Sequence, residues 1–122
     1  MAYAINLKTI TDDRGSLTVV EKVLPFDIKR VYFIYGVGNN SRGEHRHHSC
    51  VEALVCVSGS CDVYVNDGKK ERVFNLNSHS KCLVLQPVDW RKMSGFTKDA
   101  VLLVLSSECY NKDGYINEKY GD

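Results

Sequence analysis

The sequence predicts an all-β chain closed into a barrel or sandwich, on three observations. Runs of β-branched and aromatic residues recur at roughly ten-residue intervals. Turn-forming residues separate them. The helical signal is weak, since no long stretch carries the i, i+3, i+4 apolar period.

The elements follow in order. Asp13-Arg14-Gly15 is a turn, and Thr18-Val19-Val20-Glu21 and Val31–Tyr35 are the first strand-like runs. Ala53–Val57 reads as a buried strand, followed by a turn at Gly59. Cys61–Val65 alternates inward and outward, and Asn66-Asp67-Gly68 has the composition of a hairpin turn. Glu71–Leu76 returns, Lys81–Leu85 is the next strand, and Ala100–Leu105 is the last clear one. Only the tail from Cys109 to Asp122, with Tyr110, Tyr115 and Tyr120, has room for a short helix. No repeat, low-complexity stretch or linker interrupts the chain. Residues 1–122 are therefore expected to form one domain, with a barrel core over about 5–107 and a short C-terminal extension.

Composition narrows the function classes. The 122 residues carry a formal charge of +1, which gives no electrostatic reason to expect nucleic acid or a membrane as partner. No run approaches the ~20 apolar residues of a membrane helix. Met1 to Lys8 lacks the basic and hydrophobic regions of a signal peptide. Five cysteines, an odd number without Cys-x-x-Cys spacing, read as reduced thiols in a cytoplasmic protein.

The chemistry concentrates on Arg42-Gly43-Glu44-His45-Arg46-His47. On a strand, His45 and His47 share one face while Arg46 and His48 share the other. Two converging imidazoles suit a metal site or an acid/base pair. His79, in the polar turn Asn77-Ser78-His79-Ser80, reads as a surface residue.

His45-x-His47, four residues, Glu52, six residues and Gly59 reproduce the first cupin motif, which this segment resembles without a gap. The resemblance implies a jelly-roll barrel. In metal cupins the two histidines and the glutamate bind an ion, with a further histidine from a second motif. The matching stretch here, Pro87-Val88-Asp89-Trp90-Arg91, has Arg91 at the histidine position. A guanidinium cannot coordinate a cation and opposes a divalent ion, although it suits a phosphate or a carbonyl oxygen.

Nearly the whole chain, from about residue 5 to 116, resembles the cupin-type sugar-nucleotide 3,4-ketoisomerases that act on dTDP-4-keto-6-deoxyglucose. The resemblance lies in Asp13–Leu17, Pro25–Tyr35, Arg42–His47, Leu54–Cys61, Asn66–Gly68 and Pro87–Met93. It implies an isomerase without metal or other cofactor, usually a homodimer, feeding 3-amino-3,6-dideoxyhexose synthesis for surface polysaccharides. Two departures stand out: Arg91, where the family often has histidine, and a C-terminus shorter than the family's tails, with a possible effect on dimer packing.

Moving a ketone from C4 to C3 requires a base for the C3 proton and return of a proton to C4 of the enediol. Histidine supplies such a base near neutrality. By its match to the family's catalytic histidine, His47 is the expected base and His45 its same-face partner. Arg42 or Tyr35 is the expected donor to the developing oxyanion. Arg14 and Arg30 are expected at the diphosphate. Glu52 would orient His47, and Arg91 adds a substrate contact. The alternatives are a dTDP-sugar 3,5-epimerase and a non-catalytic sugar-binding cupin.

Overall fold

A computed structural model describes residues 1–121; Asp122, the end of the predicted extension, lies outside them. Its strands in chain order are β1 (Tyr3–Asn6), β2 (Lys8–Asp12), β3 (Gly15–Val19), β4 (Arg30–Tyr35), β5 (Arg42–His47) and β6 (Glu52–Ser58). There follow β7 (Cys61–Asn66), β8 (Glu71–Leu76), β9 (Lys81–Leu85), β10 (Trp90–Ser94), β11 (Val101–Ser106) and β12 (Tyr115–Ile116). Six of these match the apolar runs of the sequence to within a residue or two at either end. β1, β2 and β10 carry no comparable run, and pairing with neighbours defines them.

All pairings are antiparallel. One sheet has the order β1-β9-β6-β11-β4 and the facing sheet β12-β5-β10-β7-β8, while β2 and β3 form a separate hairpin. This is the jelly-roll architecture of a cupin. Strand alternation turns Leu54, Leu83 and Leu102 of the first sheet toward Val63, Leu76 and Met93 of the second, all buried in one core. Each such side chain contributes about 1.5–3 kcal/mol through burial.

The outer face of the first sheet is only partly covered. Ala53, Val55, Cys82 and Leu105 lie under Val20, Leu24 and Phe26 of the connection between β3 and β4. On β4, at the sheet edge, Val31, Phe33 and Tyr35 are left exposed. The β2–β3 hairpin is exposed except at Thr18 and Val19, which are half-buried, and carries Ile10 and Leu17 on its surface.

Two local features position the site. Between Arg91 and Lys92 the β5–β10 register jumps, so that His45 faces Arg91 and Gly43 faces Lys92. Glu44 is the extra residue of this bulge, at φ 62°. Gly43 is at φ 88°, and a Cβ there would meet Met93 Sδ at 3.0 Å and the Arg91 carbonyl at 3.1 Å, so only glycine fits. The tail forms a single 3-10 turn (Lys112–Gly114), capped by the Asn111 side chain accepting from the Asp113 N–H. It then adds β12 to the edge of β5, with Tyr115 opposite His47. The extension is thus part of the second sheet. All five cysteines are free thiols, and only Cys109 is exposed.

Candidate active site

Glu52, at the start of β6, is the hub of the open end of the barrel. It is buried, and each oxygen is held from two sides. Oε1 accepts from Arg91 Nη1 at 3.0 Å and lies 3.5 Å from His47 Nε2, a long contact rather than a formed hydrogen bond. Oε2 accepts from the Tyr32 hydroxyl at 2.9 Å and the Ser106 hydroxyl at 2.8 Å. Burial by itself would raise the Glu52 pKa, but contacts with His47, Arg91 and Ser106 outweigh it and hold the carboxyl at about 2. Glu52 is therefore a fixed carboxylate.

Arg91 is fully buried behind it. Its remaining N–H groups donate to the carbonyls of Asp89 and Gln86 at 2.9–3.1 Å. The guanidinium is consumed by the scaffold, so the expected substrate contact is corrected to a support for Glu52.

His45 and His47 lie edge to face, ring centroids 4.9 Å apart, as their spacing on one strand face requires. Their depths differ. His45 is half-buried and lines a cavity of about 510 Å³ with Arg30, Tyr32, Arg42, Glu52 and Tyr115. That volume is within the range of small-molecule sites. His47 is only 5% exposed and opens onto a crevice of about 10 Å³ instead. Burial lowers the His45 pKa to about 4, with the charges of Arg91 and His47 in the same direction. The His45 imidazole is neutral at physiological pH, with an electron pair free to accept a proton.

The arginines separate. Arg30 and Arg42 reach the cavity. Arg14 does not: it caps the β2–β3 turn, 87% exposed, in an ion pair with Asp12 at 2.7 Å. Tyr35 requires a correction too. It points outward on β4, 71% exposed, and Tyr32 from the other strand face stands in the cavity beside Glu52. Two contributors escaped the sequence reading. Tyr32 lies on the strand face opposite Tyr35, the donor the sequence suggested, and Tyr115 lies in a tail without periodicity. His79 is exposed, as expected for a surface residue, and His48 is exposed too.

His45, His47 and Glu52 bring ligand atoms within 4.8 Å of one another, as in metal cupins. A divalent ion does not fit here. Glu52 is already neutralised by Arg91 at 3.0 Å, and this arginine, at the sequence position of the fourth ligand, brings a fixed positive charge in its place.

The shifts predict an acid-sensitive fold. His45 binds a proton less readily when folded (about 4, against 6.5 ordinarily), so its effect on stability is lost as pH falls from 6.5 toward 4. Glu52, depressed from 4.5 to about 2, contributes stability above pH 4.5 that disappears as pH falls toward 2. Thermal melts between pH 7 and 3 are expected to show Tm falling continuously with pH. A flat profile down to pH 4 contradicts the His45 environment.

A cavity walled by one imidazole, a fixed carboxylate and two arginines is chemistry for moving protons on a polar, anionic ligand. The chain matches the family described as FdtA, WxcM-like, C-terminal, over residues 2–121. It is a member of the FdtA family. A TDP-4-oxo-6-deoxy-alpha-D-glucose-3,4-oxoisomerase of Aneurinibacillus thermoaerophilus is 41% identical over 117 residues, covering 93% of this chain and 84% of that one. The WlaRB TDP-quinovose 3,4-ketoisomerase of Campylobacter jejuni superposes with a TM-score of 0.92 at 41% identity, over 96% of this chain and 92% of that one. A histidine-to-asparagine mutant of QdtA from Thermoanaerobacterium thermosaccharolyticum, in complex with TDP-4-keto-6-deoxyglucose, superposes at 0.91 and 39% identity, over 96% and 87%. The sugar epimerase NovW of Streptomyces spheroides is only 18% identical at a TM-score of 0.80, a likeness of fold alone. Like its FdtA relatives, the chain is an isomerase.

Proposed function

We propose that this protein is a sugar-nucleotide 3,4-ketoisomerase that converts dTDP-4-keto-6-deoxyglucose to the 3-keto isomer. The observation that carries the reading is His45, neutral and facing a polar cavity beside the Glu52–His47 pair. The relatives named above are ketoisomerases of TDP sugars, and their similarity spans nearly the whole chain.

His45 takes the C3 proton, exchanging roles with His47, which the sequence favoured. The C3–H electron pair becomes the C3=C4 double bond, and the C4 carbonyl oxygen takes up the negative charge as an enediolate. The C3 hydroxyl proton passes to the C4 oxyanion, and as the C3 carbonyl forms, the C3=C4 electron pair takes back the proton from the His45 imidazolium at C4. An imidazole with a pKa near 4 is a weak base, so the reaction depends on stabilising that oxyanion. Arg42 supplies the donor, since the one hydroxyl proton of Tyr32 is held by Glu52. Tyr32 remains a phenol, because burial and the Glu52 carboxylate both raise its pKa. Arg30 attracts the diphosphate. Glu52 holds His47, and no step passes through a metal.

Conversion of dTDP-4-keto-6-deoxyglucose followed by NMR tests the reading. Appearance of a 3-keto-6-deoxyhexose supports it. Deuterium uptake at C5 without ketone migration makes the protein an epimerase, and binding without exchange makes it a non-catalytic cupin.

The assembly we propose is a homodimer acting in the cytoplasm, in synthesis of 3-amino-3,6-dideoxyhexoses for surface polysaccharides. Five free thiols support that compartment. No helix among the described residues is long and apolar enough to cross a membrane. The exposed Val31, Phe33 and Tyr35 and the exposed Ile10 and Leu17 of the hairpin support the dimer. A two-stranded hairpin is marginal alone and gains stability from a second copy. It is also how Arg14 would approach a site, by reaching the partner's cavity. Phe33→Asp is expected to shift light-scattering mass from dimer to monomer; an unchanged mass contradicts this interface.

A further inference from the structure

The C-terminal segment lies across the catalytic strand, and nothing in the proposed reaction uses it. Tyr115 of β12 has its ring 4.5 Å from that of His45, tilted, and 4.7 Å from that of His47, nearly edge-on. It lines both the large cavity and the small crevice, and so stands as the wall between them. The placement is built in from several sides. The pair Tyr115 and His47 is a register position of the sheet, and the His48 N–H donates to the Gly114 carbonyl at 3.0 Å. Beyond β12, Trp90 Nε1 donates to the Asn117 carbonyl at 3.0 Å, and the Arg46 guanidinium stacks over Tyr120 at 4.4 Å.

We propose that Tyr115 is a positioning residue: its ring, laid over both imidazoles by the C-terminal strand, fixes His45 in the orientation that meets the substrate. The inference rests on His45 as the base of the ketoisomerase reaction. An imidazole on a strand edge has a broad choice of χ2. Here His47 flanks the ring from the same strand, and Tyr115 closes the side that would otherwise lie open. Arg91 of β10 and Glu52 of β6 face it from within, and Arg30 and Tyr32 of β4 share its cavity. The first cause of the low His45 pKa is burial, and Tyr115 supplies part of that cover. The hydroxyl has a separate environment. Burial works to lower the Arg30 pKa, but Tyr115, Tyr32 and Glu52 outweigh it and leave it raised. Tyr115 and Arg30 line the same cavity, and the Tyr115 ring lies tilted against His45.

The test compares Tyr115→Ala with Tyr115→Phe, which keeps the ring and removes the hydroxyl. Tyr115→Ala is expected to lower kcat about 10- to 100-fold, with KM within about threefold of the parent, as for a misplaced reacting group. In the free enzyme, the His45 ring titration followed by NMR is expected to move up from about 4 toward 6.5. Tyr115→Phe is expected to restore most of the lost kcat and the low titration. If Tyr115→Ala fails to fold, Tyr115→Leu, which keeps an apolar cover without a flat ring, is measured the same way. Parent kcat with an unmoved His45 titration in Ala or Leu overturns the proposal. So does a Phe variant as slow as Ala, which would assign the role to the hydroxyl. A parent enzyme inactive on dTDP-4-keto-6-deoxyglucose would strike the reaction alone, since the titration reads the positioning without substrate.

Discussion

His45→Asn is expected to lower kcat by about 10²- to 10⁴-fold, the range lost with a general base, while dTDP-sugar affinity stays close to the parent's. The asparagine keeps the approximate shape and the polar contact with the cavity but has no electron pair of sufficient basicity. His47→Asn should cost less, on the order of 10-fold in kcat, because His47 lies behind the cavity and acts on orientation and charge. Single-turnover kinetics and calorimetric binding of dTDP measure the two quantities separately. Equal affinity with a large loss in kcat identifies the base. The reverse ranking, with His47→Asn the more damaged, contradicts the cavity geometry.

Arg91→Leu is expected to have the largest effect on stability. Arg91 is fully buried and makes an ion pair with Glu52 at 3.0 Å, so its loss leaves a carboxylate in the core without its cation. Breaking one side of such a pair costs about 3–5 kcal/mol. Much of that is the penalty of the stranded charge, so the double variant Arg91→Leu/Glu52→Gln is expected to regain a large part of it. Urea denaturation at a constant slope reads the comparison. A single variant within about 1 kcal/mol of the parent would show that Glu52 is not held as the geometry says.

The barrel was legible because most of its strands bury one face or both, and burial writes apolar runs into the sequence. Leu54, Cys56, Leu102 and Val104 are examples. The motif spacing from His45 through Glu52 to Gly59 was legible too, since strand period and hairpin geometry tie those positions together. β4 shows where such reading stops. Arg30, Tyr32 and Ile34 face inward, while Val31, Phe33 and Tyr35 face outward, and the outward face is apolar too. With aromatic residues on both faces, alternation carries no sign, and Tyr35 took the place that belongs to Tyr32.

The depth of the two histidines was hidden for another reason. A period of two places His45 and His47 on one face but does not say which lies nearer the open end. That depends on the bulge at Glu44 and on β12 covering His47, both of them long-range facts. Arg91 departs from the cupin pattern in sequence, but only its complete burial turns it from a substrate contact into a brace. Arg14 stands at a hairpin tip, and the sequence says nothing of how far that tip is from the cavity of its own chain.

The most direct test of the account is exchange of the C3 proton of dTDP-4-keto-6-deoxyglucose in D2O, followed by NMR, for the parent, His45→Asn and His47→Asn. The account predicts exchange and ketone migration with the parent, exchange slowed about 10-fold with His47→Asn, and exchange slowed about 10²- to 10⁴-fold with His45→Asn. Parent-like exchange with His45→Asn, together with its abolition in His47→Asn, would contradict it.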